Sequence, residues 1–261
     1  MQNDIYLSVV IPAFNEAHIL VSNLDRINDA LKKALPPQWA WEIIVCDNNS
    51  TDNTSQVAKD WGAIIVPEPQ NQISRARNTG AKAAKGTWLL FLDADSYPTP
   101  SLVRDLVAVT ESGDFVGCGT TVKVEAGTVF NRLRMERLNP IFRLLNIAGG
   151  VCLLCERTAF EQIEGFSLEL YAYEEFDFIR RLKKYGRSIA KRFTVLHQNP
   201  IVTSGRKGEL IPSSLFQMLT SNVLALLLYI LRPLLPSSLI KTLGQKDLRF
   251  WYQERNKEET K

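Results

Sequence analysis

The sequence predicts an α/β fold: a Rossmann-like, mostly parallel sheet flanked by helices, with a C-terminal apolar helical tail. Three observations predict it. Short apolar runs alternate with helical patterns through the first half of the chain, each apolar run ends in a polar or acidic turn, and the segments between runs are too long for hairpins. Strand–helix repeats of this length make a parallel sheet with right-handed crossovers.

Leu7 to Ile11 reads as the first strand, closed by Pro12. A helix follows from Asn15 and Glu16, with Ile19, Leu20, Leu24, Ile27 and Leu31 at helical spacing, and Pro36-Pro37 stops it. Glu42 to Cys46 is the second strand, and it leads into the polar turn Asp47 to Asp52, where Ser50 or Thr51 suits a helix cap. A short helix through Val57, Ala58 and Trp61 ends at Gly62, and Ala63 to Val66 forms the third strand. The helix from Ser74 to Ala84 carries small residues suited to close packing. The fourth strand, Leu89 to Leu92, lacks a helical period and reads as fully buried. Pro98 to Ser101 marks the next helix start, with Ser96-Tyr97-Pro98 turning the chain. Beyond Ser112 the alternation loosens. Phe115 to Val124 and a glycine-marked stretch near Gly150 read as strands, and Val129 to Leu145, Thr158 onward and Glu174 to Tyr185 as helices. Phe193 to Leu196 is a last apolar run, ending at His197.

With 261 residues and a net charge of +3, the chain suits one large domain with an appendage, and the charge is too small to indicate nucleic acid. A basic cluster, Arg180, Arg181, Lys183, Lys184, Arg187, Lys191 and Arg192, suits phosphates, an anionic membrane surface or a solvated helix face. Of the four cysteines, Cys46 and Cys118 lie in apolar runs, and the isolated pair Cys152 and Cys155 reads as core rather than zinc. With no secretory signal read at the start, a reducing compartment is expected.

The segment Asp93-Ala94-Asp95 carries the most chemistry. An apolar strand ends in two carboxylates one residue apart, where ligands collect in an open α/β sheet. Such acids repel unless a proton or cation intervenes, and Mg²⁺ or Mn²⁺ takes one or two carboxylates plus substrate phosphates. Alone, the motif is equally a polar turn. In order along the chain stand Val9 to Glu16 (VVIPAFNE), Asp47 to Thr54 (DNNSTDNT), Ala76 to Gly80 (ARNTG), Asp93 to Asp95, and Glu174 to Phe178 (EEFDF). Together they resemble family 2 glycosyltransferases of the GT-A fold, over roughly residues 7 to 200.

That resemblance implies a metal-dependent, inverting glycosyltransferase that takes sugar from a nucleotide-diphosphate donor, a UDP-sugar first, to a hydroxyl of a glycan or lipid-linked acceptor. It implies a donor site of Pro12, Ala13, Asn15, Glu16, Asp47, Asn49, Arg77, Asn78, Asp93 and Ala94, with Arg206 and Lys207 as charge clamps on the diphosphate. Asp47 would accept the N–H of the base. A divalent metal, Mg²⁺ or Mn²⁺, would be held by Asp93, Asp95 and His197. The catalytic group would be Glu175, ahead of Glu174, with Asp177 orienting the base or meeting the acceptor; the family's usual second residue here is Asp, so Glu-Glu changes the reach. A nucleotidyltransferase would place a Gly-rich basic loop where Pro12 to Glu16 stands. A catalytically silent nucleotide-sugar binder or assembly subunit is the alternative from another class.

The domain boundary is expected near residue 207. Residues 208 to 261 form the tail, whose densest apolar part is Val223 to Leu231. It is short for a span of about 20 residues. The reading is an interfacial helix with Arg232, Lys241, Lys246 and Arg249 near headgroups, at the cytoplasmic face of the membrane. An oligomer contact and a true span are the alternatives.

Overall fold

The computed structural model describes residues 5–125, 138–170 and 174–204. The tail from 208, and with it the boundary near 207, lies outside the described residues. So do Arg206, Lys207 and most of the helix expected before Leu145, of which 138–144 is described and is helical.

The elements are β1 (Ile5–Ala13), α1 (Ala17–Ala34), β2 (Ala40–Asp47), α2 (Thr54–Trp61), β3 (Ile64–Pro67), α3 (Ile73–Ala83), β4 (Trp88–Leu92), β5 (Ser96–Tyr97) and α4 (Pro100–Glu111). They continue with β6 (Phe115–Val124), β7 (Cys152–Glu156), α5 (Arg157–Gln162), α6 (Glu174–Ser188) and β8 (Arg192–Thr203). One 8-stranded sheet runs in the order β3-β2-β1-β4-β7-β6-β8-β5. Strands β3, β2, β1 and β4 are mutually parallel, as are β6 and β8, while β7 runs antiparallel between β4 and β6. Parallel neighbours need a crossover, which the helices of the first half supply. Strand β7, which follows the helical residues 138–144, takes its direction from its antiparallel pairing with both β4 and β6.

Side chains alternate between faces of a strand, so the sheet carries two cores. On one face Val9, Ile11, Leu90, Leu92 and Leu154 meet Leu20, Leu24 and Ile27 of α1 and Leu102 and Leu106 of α4. On the other, Val10, Leu89, Phe91 and Leu153 meet Ala81 of α3, Phe160 of α5 and Phe178 and Leu182 of α6. Period-2 alternation explains the C-x-x-C pair. Cys152 joins the first core and Cys155 the second, so the two thiols face opposite ways and cannot grip one ion. Burial pushes the Cys152 thiol up to about 12 and Cys155 higher still, which keeps both protonated.

Local signals end the elements. Gly62 closes α2 at φ 101°, a left-handed conformation that a side chain would strain. Thr99 caps α4, its side chain accepting from Leu102 N with Pro100 in the first turn. Ser50 and Thr51 do not cap α2; that end is held by Asp52, whose Oδ1 accepts from Thr54 N at 2.9 Å. The turn after Asp95 goes further than a turn, because Ser96 and Tyr97 pair with Thr203 and Val202 at the far end of β8. Among the described residues no helix is long and apolar enough to cross a membrane.

Most of the basic cluster is used internally. Arg180 and Arg181 pair with Asp177, Lys191 with Glu156, and Arg192 with Asp114. Lys183 approaches the Leu145 carbonyl and the Phe193 ring.

Strands β6 and β7 approach closely at Gly117, where an added Cβ would lie 2.3 Å from the Leu154 carbonyl oxygen. Gly117→Ala should therefore push the strands apart and cost about 1–3 kcal/mol. Calorimetric melting checks this, and an unchanged melting temperature would count against the close approach.

Candidate active site

The carboxyl ends of β1, β2 and β4 share one edge of the sheet, so the loops after them form one crevice wall. The first two loops are stitched together. Asn48 N donates to the Ala13 carbonyl at 2.8 Å, Asn15 N to Ser50 Oγ at 3.1 Å, and Thr51 N to Asn15 Oδ1 at 2.8 Å. Glu16 N donates to Thr54 Oγ1 at 2.8 Å and Ala17 N to Asp52 Oδ2 at 3.1 Å. Asn15 and Asn49 hold φ of 53° and 64°, which asparagine tolerates better than most side chains. The polar residues that read as helix caps thus join one loop to the other.

Within this wall Pro12 is half-buried opposite Cys46, and Ala13 faces Asp47 across the ladder. Glu16 is buried at the start of α1. Asp47 ends β2 with Oδ1 accepting from Ser50 N at 3.1 Å, and its carbonyl accepts from Glu68 N at 2.8 Å. Ala94 is pinned to α1, its carbonyl accepting from Asn23 Nδ2 at 2.8 Å. Asp95 is 2% exposed, and its carboxylate accepts from Ser96 Oγ at 3.2 Å and Ser204 Oγ at 3.1 Å. Ser204 N also donates to the Asp95 carbonyl at 3.1 Å, which fixes the point from which the chain continues toward Arg206 and Lys207.

Arg77 is more enclosed than its sequence position indicates. It is 2% exposed, and its guanidinium donates to Glu174 Oε1 at 3.0 Å, Asp93 Oδ1 at 3.3 Å and the Gly150 carbonyl at 2.9 Å. The Phe166 ring lies 5.1 Å from its Cζ. Asn78 next to it clamps the Phe166 backbone, accepting from Phe166 N at 2.9 Å and donating to the Phe166 carbonyl at 2.8 Å. Phe166 in turn stacks on Phe178 of α6 at 4.2 Å.

At the start of α6, Glu174 is buried against Arg77, while Glu175 is half-buried. Burial, then the neighbouring Glu174 charge, pushes Glu175 up to about 8. Burial likewise raises Glu174, against the pull of Arg77. Asp177 is 3% exposed and grips Arg180 at 3.0 Å and Arg181 at 2.8 Å. Arg181 also donates to the carbonyls of Ile163 and Gly165, so Asp177 helps hold the turn that carries Phe166.

The structure therefore brings Asp93, Arg77 and Glu174 together, with Asp95 beside Asp93 and Glu175 beside Glu174. His197 is exposed in a bulge of β8, where the pairing with β6 skips from Leu196 to Ile201, and Ser204 is the β8-side residue that meets Asp95. No set of three or more His, Cys, Asp or Glu side chains placed to hold a metal occurs among the described residues. Phe166 has no recognisable site signal in the sequence, because long-range contacts alone place it.

The loop stitching makes a testable demand on Asn15. Asn15→Ala removes its side-chain bonds to Thr51 and leaves a Cβ in the left-handed region, costing about 1–3 kcal/mol. Asn15→Gly loses the bonds without the strain and should fall between alanine and wild type. Urea unfolding midpoints measure the order; alanine equal to wild type would dismiss the clamp.

The sequence pattern described as Glycosyl transferase family 2 matches residues 8–163, more than half of the chain. Glycosyltransferase AglE of Haloferax volcanii is 26% identical over 253 residues, covering 88% of this chain and 82% of AglE. S. aureus TarS has a TM-score of 0.59 at 18% identity, over 79% of this chain and 62% of the TarS chain, and TarS has also been solved with UDP. Mannosyltransferase PcManGT from Pyrobaculum calidifontis, solved with GDP-Man and Mn²⁺, has a TM-score of 0.57 at 16% identity, over 83% of this chain and 60% of that one. This chain spans about three-fifths of each solved chain, and at these identities the likeness concerns the fold, the GT-A arrangement of a curled sheet between helices. With the family pattern running from β1 through α5 and the same fold in its solved neighbours, the chain is a family 2 glycosyltransferase.

Proposed function

We propose that this enzyme moves a sugar, with inversion, from a nucleotide-diphosphate donor to a hydroxyl of a glycan or lipid-linked acceptor. The observation that carries the reading is the placement of two acid pairs, Asp93–Asp95 and Glu174–Glu175, on either side of one buried arginine. The solved neighbours hold UDP or GDP-Man. A uridine donor is our first choice, because Asp47 ends β2 with a carboxylate suited to the N–H of a pyrimidine base.

Asp93 and Asp95 offer hard oxygen ligands, with no group of three or more His, Cys, Asp or Glu placed for a metal among the described residues, which fits Mg²⁺ or Mn²⁺ completed by diphosphate oxygens and water. Such a cation, held by Asp93 and Asp95, would stabilise the charge on the departing nucleotide diphosphate. Ser96 and Ser204 fix the Asp95 carboxylate by hydrogen bonds. On the opposite side Glu175 takes the proton of the acceptor hydroxyl as its oxygen attacks the sugar. Glu174 is a poor candidate for that task, since its Oε1 is occupied by Arg77. The raised proton affinity of Glu175 suits a base working near neutral pH.

Calorimetry with UDP tests the donor side, and a melting-temperature panel of UDP- and GDP-sugars extends it. UDP should bind more tightly with Mn²⁺, and Asp95→Ala should erase that enhancement while keeping the fold. A wild-type protein indifferent to both nucleotides and Mn²⁺ would end this reading.

Rates test the base. Glu175→Gln should bind UDP normally yet transfer about 10²–10⁴-fold more slowly. Because only the carboxylate accepts a proton, wild-type transfer should rise with pH and level off above about 8, where Glu175 has ionised. Glu175→Gln should lack that limb. A crippled Glu174→Gln beside a near-normal Glu175→Gln would reassign the base, and UDP binding without turnover of any donor would favour a silent binder.

A further inference from the structure

Arg77 lies in the stretch that resembles a donor-binding motif, yet its guanidinium is enclosed by protein acceptors. Its guanidinium is 2% exposed and is shared among Glu174, Asp93 and the Gly150 carbonyl. One face is closed by Phe166, which Asn78 holds by its backbone and Phe178 by stacking. The planar fork of an arginine can bridge several acceptors in a way that a lysine point charge cannot. Gly150 is fitted to this fork: an added Cβ there would lie 2.6 Å from Arg77 Nη2.

We propose that Arg77 is a positioning residue that ties the Asp93 end of the site to the Glu174–Glu175 end and leaves Glu175 as the base. It does so by holding one oxygen of each carboxylate, with the Gly150 carbonyl as third anchor. Arg77 makes no contact with donor or acceptor and acts through Glu174 and Asp93. The inference rests on the nucleotide-sugar reading, and misplacing reacting groups by about 1 Å can slow a reaction on the order of 10²-fold.

The test compares wild type, Arg77→Lys, Arg77→Met, Gly150→Ala, Glu174→Gln and the Arg77→Met/Glu174→Gln double variant. Calorimetry with UDP and Mn²⁺ gives the affinity and the number of binding-competent sites. UDP release from UDP-glucose and UDP-N-acetylglucosamine, divided by that number, gives turnover per competent site. Dividing by competent sites removes losses due only to misfolding, which would lower the site count and leave turnover per site and KM unmoved.

The expected result is a UDP affinity and donor KM within about threefold of wild type, with turnover per site down about 10²-fold in Arg77→Met. Arg77→Lys should recover only part of it, and Gly150→Ala, which keeps the charge but displaces the fork, should also slow turnover. The double variant should be no slower than the slower single, because Arg77 acts through Glu174. Should Arg77→Met fail to fold, Arg77→Lys and Gly150→Ala decide: unchanged turnover in both overturns the proposal. A tenfold or greater loss of UDP affinity with normal turnover overturns it too, since Arg77 would then be a donor ligand. Additive losses in the double variant have the same consequence. If wild type itself shows no Mn²⁺-dependent UDP binding, the nucleotide-sugar reading fails instead.

Discussion

A charge buried beneath the sheet edge has to be answered inside the protein, and at Arg77 that requirement organises the whole site. Removing one partner of a buried ion pair costs about 3–5 kcal/mol, because it strands the other charge in a low dielectric. Arg77 therefore needs Asp93 on one side and Glu174 on the other, and the carboxylates come from the end of β4 and the start of α6. The two carboxylates are 81 residues apart in sequence (93 to 174) and are bridged by a single guanidinium. Few other side chains have the reach and the fork to do this.

The aromatic packing below serves the same end. Phe91 of β4 packs edge-on to Phe166 and Phe178, and Phe160 of α5 lies beside all three. A planar cation can lie over such a ring face at little desolvation cost. The turn that supplies Phe166 is secured from two helices, by Asn78 of α3 and by Arg181 of α6 under the grip of Asp177. Two residues from the motifs, Asn78 and Asp177, thus support the site by holding backbone and arginines in place.

How much of this is legible in the sequence follows from how far apart the partners are. The first half is readable because its rules are local: strand runs end in polar turns at Asp47 and Asp93, helices keep their period, and Gly62 marks a stop, although β1 continues through Pro12 to Ala13. The cysteine pair was readable as core, since period-2 alternation sends Cys152 and Cys155 to opposite faces. Ser50 and Thr51 read as caps in the sequence because a hydroxyl before a helix looks the same whether it accepts from its own helix or, as Ser50 does, from a loop 35 residues earlier. Arg77 gave no sign of its burial, because a helical arginine is usually exposed and its partners lie 16 and 97 residues away. The antiparallel direction of β7 was equally hidden, being set by pairing rather than by anything in Cys152 to Glu156.

This division has a physical consequence for the enzyme. The residues expected at the nucleotide in the first half, Pro12, Ala13, Asn15, Glu16, Asp47 and Asn49, lie at the ends of parallel strands and on the two short loops that follow, which hydrogen bonds stitch to each other. The residues proposed for chemistry depend on the second half being threaded back through the sheet. Strand β7 inserts beside β4, which puts Gly150 just ahead of it and against Arg77. Strand β8 ends beside Asp95, which brings Ser204 to that carboxylate. The acid pair obeys a long-range constraint of its own, since Glu174 must meet the same guanidinium that meets Asp93.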